Sequence, residues 1–452
     1  MYRTIKGAMV PVIGSTWLYD EALPKLGFDY NNNVNLPDNS GNTVDGGVVL
    51  DDEVVSLIME NVKKDLDLVR PSTDENVYGL GKQIARIAQL VHIADVVTSQ
   101  MLQQQEQPED TVALNQTLAN VSTQEYGPAA ARIDEYVATF QKATNLLGSW
   151  LETVFENQMD DQLLYDAKFG GIVSKNGLGN PQDDFGNGRY NDHHFHYGYL
   201  LYASAIMGSI NSTFVTLYGS HVDNLLYDIA YPANKDSTGA DGAFFPLSRH
   251  KSWYDGHSFA TGLFPFANGK SQESTSEAVN GYYGAYLWSM VRHNGASYNG
   301  ASTDLADFSK LLMMMEIRGA QTYWHMEPPP EESQSPTDTN SSTTQSVASV
   351  ATSSSSDPIY DARFASNYMV GNLGMLDAAA STWFGKEKLY VHMINFMPVT
   401  AATELLFTKD YVGVEYPKVI ETLHGYIPMA WKGYTTCDQA IIDSSQAWAA
   451  AM

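Results

Sequence analysis

The chain holds a single cysteine, Cys437, in 452 residues. One thiol excludes an internal disulfide framework and a cysteine-based zinc site. It does not exclude secretion, because a chain this long buries enough core to need no covalent staples. Basic residues are scarce as well: 26 Lys and Arg stand against 52 Asp and Glu, for a formal charge of −26. Such a surface repels phosphate backbones and anionic lipid, so no nucleic acid partner is expected, whereas a neutral polymer is indifferent to the charge. No apolar run reaches the roughly 18 residues of a membrane span, so none is expected. The opening "MYRTIKGAMVPVIGSTW" lacks the charged-then-apolar layout of a signal peptide. Either the protein is not secreted by that route or its native N-terminus lies elsewhere. Strand-like alternation is sparse.

What the chain does have is apolar content, at 44%, and many rings, including 27 Tyr and 8 Trp. A large core is available, enough for one large domain or a few ordinary ones. Aromatic rings suit packing and also stacking on the apolar faces of sugars. Apolar residues near a 3.6 period predict helices over 51–69, 76–97, 129–157, 193–208, 212–229, 274–292, 303–320, 364–383 and 399–408. Many amphipathic helices without a sheet predict an all-α domain of paired helices closed into a toroid. Residues 1–50, rich in Gly, Asn, Asp and Pro, read as an irregular connecting segment, and 51–452 as the helical domain. Residues 166–192 form a Gly-rich, loop-like tract. Residues 328–357, "PPPEESQSPTDTNSSTTQSVASVATSSSSD", offer almost nothing to bury and are expected to be a disordered insertion. Four Asn-x-Ser/Thr sequons, at Asn115, Asn120, Asn211 and Asn340, permit glycosylation but also arise by chance.

Three polar-aromatic clusters interrupt the helical pattern. "GRYNDHHFHYGYLLYASAIMG" (188–208) places an acid and three histidines together before an apolar run. Asn191 or Asp192 suits a helix N-cap there. His194 with His196, or His193 with His196, offers a metal pair, but the spacing is not His-Glu-x-x-His and no third ligand lies near. "FFPLSRHKSWYDGHSFATGLFPF" (244–266) brings Arg249, Trp253, Tyr254, Asp255 and His257 onto a Gly-containing loop, which suits a polar cleft or an ordinary surface loop. "NGKSQESTSEAVNGYYGAYLWSM" (268–290) places Glu273 and Glu277 one helical turn apart. Carboxylates that close raise each other's pKa. Ser274-x-x-Glu277 equally matches a capping box, and both readings stand on the sequence alone. Cleavage of a glycosidic bond needs two carboxyl groups, one to protonate the leaving oxygen and one to activate water or attack C1. Asp192, Asp255, Glu273 and Glu277 supply that inventory, which makes a glycosidase plausible and goes no further.

"YNDHHFHYGY", "WYDGHSFATGL" and "GKSQESTSEAVNGYYG", in this order, closely resemble the glycoside hydrolase family 81 endo-β-1,3-glucanases. "YDAKFGGIVS" (165–174), "STWFG" (381–385) and "YVHMINFMPVT" (390–400) support the likeness, which runs along essentially the whole chain. The resemblance implies an (α/α)6 toroid and endo-acting, inverting hydrolysis of β-1,3-glucan, in the extracellular space or cell wall, with no metal or other cofactor. Asp192 falls on the general acid, and Glu273 and Glu277 on the family's two key glutamates. Glu277 is taken as the base, with Glu273 holding the substrate or the base itself. His196, Asp255 and His257 match positions that line the substrate cleft. By the same resemblance the chain begins near the connection to an N-terminal β-sandwich domain and stops before the family's usual tail. A glucan-binding protein without activity is the alternative. Nothing in the sequence sets the oligomeric state.

Overall fold

The computed structural model describes residues 2–9, 11–16, 18, 20–24, 26–28, 51–106, 128–232, 244–293, 302–328 and 358–451. The insertion expected at 328–357 lies outside these residues apart from Pro328, as do the sequons at Asn115, Asn120 and Asn340. Helices dominate. In chain order they are α1 (Asp52–Leu68), α2 (Val77–Glu106), α3 (Pro128–Phe155), α4 (Lys175–Gly179), α5 (His193–Ile210), α6 (Ser212–Ala230) and α7 (Thr275–His293). The second half adds α8 (Ser302–Tyr323), α9 (Ala362–Ala365), α10 (Lys388–Phe396), α11 (Thr403–Leu406), α12 (Lys409–Glu421), α13 (Met429–Ile442) and α14 (Ser444–Ala451). The architecture is the expected all-α, toroid-like one, with no sheet larger than three short strands among the described residues.

Two kinds of helix build it. Outer helices are amphipathic. In α1 the buried residues are Val55, Met59, Val62 and Leu66, a single stripe, and the Asp51 side chain caps the helix at the Val54 N–H. Inner helices have no polar face. In α5 every residue from His193 to Met207 is buried, and α7 is buried from Ser274 through Ser289. A helix apolar all round must be covered on all sides. Accordingly α5 packs between α2 and α7, α6 covers its back, and α8 covers α7.

The α5–α7 crossing sets the whole centre, because here backbones touch. A Cβ on Gly198 would lie 2.4 Å from the Gly281 Cα, and one on Gly281 would lie 2.2 Å from the His194 carbonyl oxygen. Gly284 likewise faces the Gly198 carbonyl oxygen at 2.9 Å. Only glycine permits this approach. Gly198 is six residues after Asp192 and Gly281 four after Glu277, so the crossing draws those two helix starts together.

Short strands fill the loops between helices. They are β1 (Tyr2–Thr4), β2 (Gly7–Met9), β3 (Leu163–Asp166), β4 (Gly171–Ser174), β5 (Lys251–Ser252), β6 (His257–Ser258), β7 (Ser271–Gln272), β8 (Asn372–Gly374) and β9 (Ala378–Ala379). They pair antiparallel as three hairpins and one sheet of order β7-β8-β9. Several sequence expectations are corrected here. The start of the connecting segment is a hairpin, β1–β2, rather than wholly irregular. The loop-like tract at 166–192 carries β4, α4 and a 3-10 segment at Asp183–Arg189. The helix expected over 364–383 does not form beyond the end of α9: 372–379 are the β8–β9 hairpin, because Gly371 packs against the Ser381 backbone and Gly374 N–H closes a turn on the Asp377 carbonyl. The helix expected over 399–408 shortens to α11.

Candidate active site

The Asp192 and Glu273 segments are bound to one another through the backbone. The Asp192 N–H donates to the Ala260 carbonyl at 2.9 Å, and the Ala260 N–H donates to the Ser271 carbonyl at 3.0 Å. The stretch leading to Asp192 is unusually twisted. Asp184, Phe185, Tyr190 and Asp192 all have positive φ, with 59° at Asp192. L-residues rarely adopt that conformation, and it persists only where the surroundings over-determine it. Asp192 occupies the N-cap position of α5, yet its side chain makes no capping bond. Asp192 lines a cleft of about 420 Å³. Glu273 lines the same cleft, with Gln182, Asn191, Gln272 and Asn372 as polar neighbours and Phe185, Phe264, Phe266 and Trp383 as rings. Phe185, Phe266 and Trp383 keep half or more of their surface open to solvent, at 50%, 51% and 76%. Rings that exposed beside a polar floor form a stacking platform for a flat, weakly apolar ligand face.

Glu277 lies behind this cleft, buried on the first turn of α7. The hydroxyls of Tyr78 and Tyr199 donate to its Oε1 at 2.6 and 2.7 Å, and the Ser274 hydroxyl donates to Oε2 at 2.5 Å. Of the two readings left open for Ser274-x-x-Glu277, the inward-pointing carboxylate is the one seen: Glu277 meets the hydroxyl of Ser274 and two phenols.

The three carboxyls repel one another. Burial, with Glu277 and Asp184 adding and His196 opposing, pushes Asp192 up to about 7. Burial first, then Asp192 and Glu277, pushes Glu273 up to about 8. Among the described residues nothing hydrogen-bonds either carboxyl. Both folded values lie above the ordinary 3.8 and 4.5. The folded state therefore binds protons the unfolded chain releases, and stability falls as pH rises from about 4 through 8. We expect the wild type to melt lower at pH 8.5 than at pH 5. An Asp192→Asn, Glu273→Gln double variant should lose much of that decline, each tenfold change in proton affinity being worth about 1.4 kcal/mol at most. Parallel wild-type and variant curves of melting temperature against pH would refute the coupling.

The histidines are held by protein groups, except that His194 Nδ1 is buried without a hydrogen-bond partner among the described residues. His193 places Nδ1 2.6 Å from Asp228 Oδ2 and Nε2 2.8 Å from the Asn187 carbonyl. His194 Nε2 meets Gln272 Oε1 at 2.9 Å, and burial pushes this ring down to about 4, so it is neutral. His196 Nδ1 lies 3.4 Å from Asp184 Oδ2. Burial disfavours its charge, but Asp184, then Asp192 and Glu277, outweigh burial and raise it. No group of three metal-ligating side chains forms among the described residues.

The remaining expected residues are placed differently from the reading of the sequence. Asp192, Glu273 and Glu277 come together, but His196, Asp255 and His257 do not line the cleft that holds Asp192. His196 is buried beneath the site, its ring 4.8 Å from that of Tyr78. Asp255 and His257 belong to a separate group built on the β1–β2 hairpin: Lys6 Nζ lies 2.5 Å from Asp255 Oδ1 and 2.8 Å from His257 Nε2. His257 is buried between Phe259 and Trp324 and pushed down to about 4 by burial, then by Lys6. Behind them sits a buried ion pair, Lys251–Glu316 at 2.5 Å. Glu316 also accepts from the Ser258 N–H at 3.0 Å and from Gln272 Nε2 at 2.7 Å. Gln272 thus ties this group to His194 and to the strand that carries Glu273. No pattern in the chain pointed to Tyr78, 199 positions from Glu277, or to Glu316 and Asp184. Two missed residues had a signal: Gln272 stands beside Glu273 in the third cluster, and Tyr199 is seven residues after Asp192 and therefore two turns along the same helix.

Comparison with known proteins bears on the family and the fold. The profile of the Glycosyl hydrolase family 81 C-terminal domain matches residues 49–344 and 339–452. The chain is 29% identical over 295 residues to the Saccharomyces cerevisiae protein named glucan endo-1,3-beta-D-glucosidase 2, covering 65% of this chain and 33% of that one. It is 28% identical over 305 residues to the Schizosaccharomyces pombe primary septum glucan endo-1,3-beta-D-glucosidase, covering 66% and 26%. A Glycine max glucan endo-1,3-beta-D-glucosidase aligns over 454 residues at 25%, covering 99% and 54%. The chain thus spans from about a quarter to about half the length of these relatives. A solved family 81 glycoside hydrolase from Clostridium thermocellum shares the fold, with a TM-score of 0.59 at 19% identity, over 95% of this chain and 46% of that one. With the profile covering nearly all of it from residue 49 onward, and with the helical toroid and its central acidic cluster in place, the chain belongs to glycosyl hydrolase family 81.

Proposed function

We propose that this chain hydrolyses internal β-1,3-glucosidic bonds of β-1,3-glucans, with inversion at the anomeric carbon. The observation that carries the reading is the division of labour among three coupled carboxyls beside exposed rings. Asp192, raised to about 7, still holds a proton near neutral pH and faces the cleft, as a general acid must. Glu277, supplied with three hydroxyl donors, is the ionised group and takes the proton of a water. Glu273, raised to about 8, is a neutral donor that holds that water or a sugar hydroxyl. In the reaction the water oxygen bonds to C1 as the C1–O bond to the leaving sugar breaks. One proton passes from Asp192 to the leaving oxygen and one from the water to Glu277. Phe185, Phe266 and Trp383 supply stacking surface for the glucan.

The glucan is the partner, and the extracellular space or a cell wall is where such a polymer is met. No helix among the described residues is long and apolar enough to cross a membrane. Both ring nitrogens of His193 are already hydrogen-bonded, and no group of three metal-ligating side chains forms among the described residues, which favours a reaction independent of a metal, so hydrolysis is expected to persist in EDTA.

Product stereochemistry tests the mechanism. Inversion needs room for a water between base and sugar, with carboxyls about 6.5–9.5 Å apart, against about 5–5.5 Å for retention. Proton NMR of a fresh laminarin digest should show the α-anomer first. An initial β-anomer would overturn the roles given to both glutamates. Binding of laminarin without release of reducing sugar would favour the alternative, a glucan-binding protein.

A further inference from the structure

We propose that Lys82, Tyr78 and Tyr199 form a hydrogen-bonded relay that positions the Glu277 carboxylate for its work as base, an inference that rests on the role of Glu277 proposed above. Tyr78 and Tyr199, from α2 and α5, both donate to the same oxygen, Oε1. Lys82, one turn after Tyr78 on α2, donates from Nζ to the Tyr78 hydroxyl at 3.3 Å and lies 4.8 Å from the centre of its ring. The Tyr78 hydroxyl therefore accepts from a cation and donates to an anion. A hydroxyl so placed donates more strongly than an isolated one, because each bond in such a chain polarises the next.

The relay is built before any substrate arrives. The Tyr78 ring is fixed edge-on to Phe185 at 5.1 Å, beside His196 at 4.8 Å and Tyr199 at 6.0 Å. Burial first, and then the Glu277 charge, push both phenols upward, so they remain protonated donors. Every other titratable group coupled to Glu277 acts differently. Asp192 and Glu273 repel it across the cleft, His196 attracts it from α5, and the Tyr434 phenol faces it from α13. Ser274 serves Oε2 but is shared with the Ile394 carbonyl at 3.1 Å. Against two repelling carboxyls, the relay supplies the hydrogen bonds to Oε1 and, through Tyr78, the charge of Lys82. Lys82 is only half-buried, on the wall of a second cavity of about 620 Å³ that Tyr199 also lines. Substitution there leaves the core packing intact.

The test is kcat and KM on laminarin across pH for the wild type, Tyr78→Phe, Tyr199→Phe, Lys82→Met, Lys82→Arg and the Tyr78→Phe, Lys82→Met pair. Tyr136→Phe is the control, since its hydroxyl donates to Ser56 Oγ, at 3.1 Å on the outer helices, away from Glu277. Tyr78→Phe and Lys82→Met should each lower kcat about tenfold with KM little changed. They should also move the acid limb of kcat/KM upward, Tyr78→Phe because a donor to the carboxylate is lost and Lys82→Met because its charge no longer polarises that donor. The pair should match Tyr78→Phe alone, because Lys82 acts through Tyr78, and Lys82→Arg should recover most of the wild-type profile. An acid limb that stays in place while KM rises would overturn the relay, as would additive losses in the pair. If Tyr78→Phe does not fold by circular dichroism, the limb in Lys82→Met decides the matter by itself. A wild type without hydrolysis overturns the proposed function and the relay together, whereas an active wild type, an inactive Glu277→Gln and an unshifted Tyr78→Phe overturn the relay alone.

Discussion

Asp192→Asn is expected to lower laminarin turnover by about 10²–10⁴-fold while glucan binding survives nearly unchanged. Removing a general acid costs that much because the leaving alkoxide must then depart unprotonated. Binding is spared because Asn keeps the shape and polarity of the side chain, and the stacking rings Phe185, Phe266 and Trp383 are untouched. The Asp192 N–H bond to the Ala260 carbonyl is a backbone bond and survives the change. The same assignment places the alkaline limb of wild-type kcat/KM near pH 7, where Asp192 gives up its proton. Steady-state rates of reducing-sugar release, with laminarin affinity measured by calorimetry, check both parts. A variant that keeps more than about a tenth of wild-type turnover rules out Asp192 as the acid.

Gly281→Val is expected to prevent stable folding altogether. A Cβ at this position would stand 2.2 Å from the His194 carbonyl oxygen, and that oxygen belongs to the backbone of α5 rather than to a side chain free to swing away. The helices would have to separate along the most heavily buried seam of the molecule. Overpacking a core with flexible neighbours costs about 1–3 kcal/mol. Here both partners are rigid, so the loss should exceed that range and take up a large part of a total stability of about 5–15 kcal/mol. Gly413→Ala provides the contrast, since nothing lies within 4 Å of a Cβ on that α12 residue. It should be neutral or slightly stabilising, by up to about 1 kcal/mol. Thermal melts and soluble yields of the two variants measure the difference. A folded Gly281→Val with a wild-type melting temperature would show that the crossing is not held as closely as described.

Several features of this protein were legible in the sequence because they are local. Apolar periodicity marked α1, α2, α3, α5, α6, α7 and α8 as helices, but all of them were read as amphipathic, and that α5 and α7 are covered on every side appeared only in the packing. The same criterion failed at 364–383, where apolar residues are dense but glycines meet a neighbouring backbone; composition cannot tell a helix from a hairpin there. The residues by themselves offered four acids, Asp192, Asp255, Glu273 and Glu277, and only the resemblance to known glucanase motifs singled out Asp192, Glu273 and Glu277.

The environment of those carboxyls was decided only in three dimensions. Ser274-x-x-Glu277 reads as a capping box on paper, because a cap needs nothing beyond four residues. It opens inward because Tyr78, 199 positions away, and Tyr199 deliver hydroxyls to Glu277, and no pattern in the chain records a contact at that separation. Asp255 and His257 share a loop with groups that suit a cleft, yet Lys6 of the N-terminal hairpin takes them, since a buried ammonium must be paired wherever it lands. The raised values of Asp192 and Glu273 follow the same logic. Any Asp or Glu is an ordinary acid in an unfolded chain, and only the approach of α5 to α7 across Gly198 and Gly281 removes the water and brings like charges together. Sequence thus determined which groups are present and where most of the long helices run. The distances between those groups, and with them the protonation of the site, belong to the packing of helices far apart in the chain.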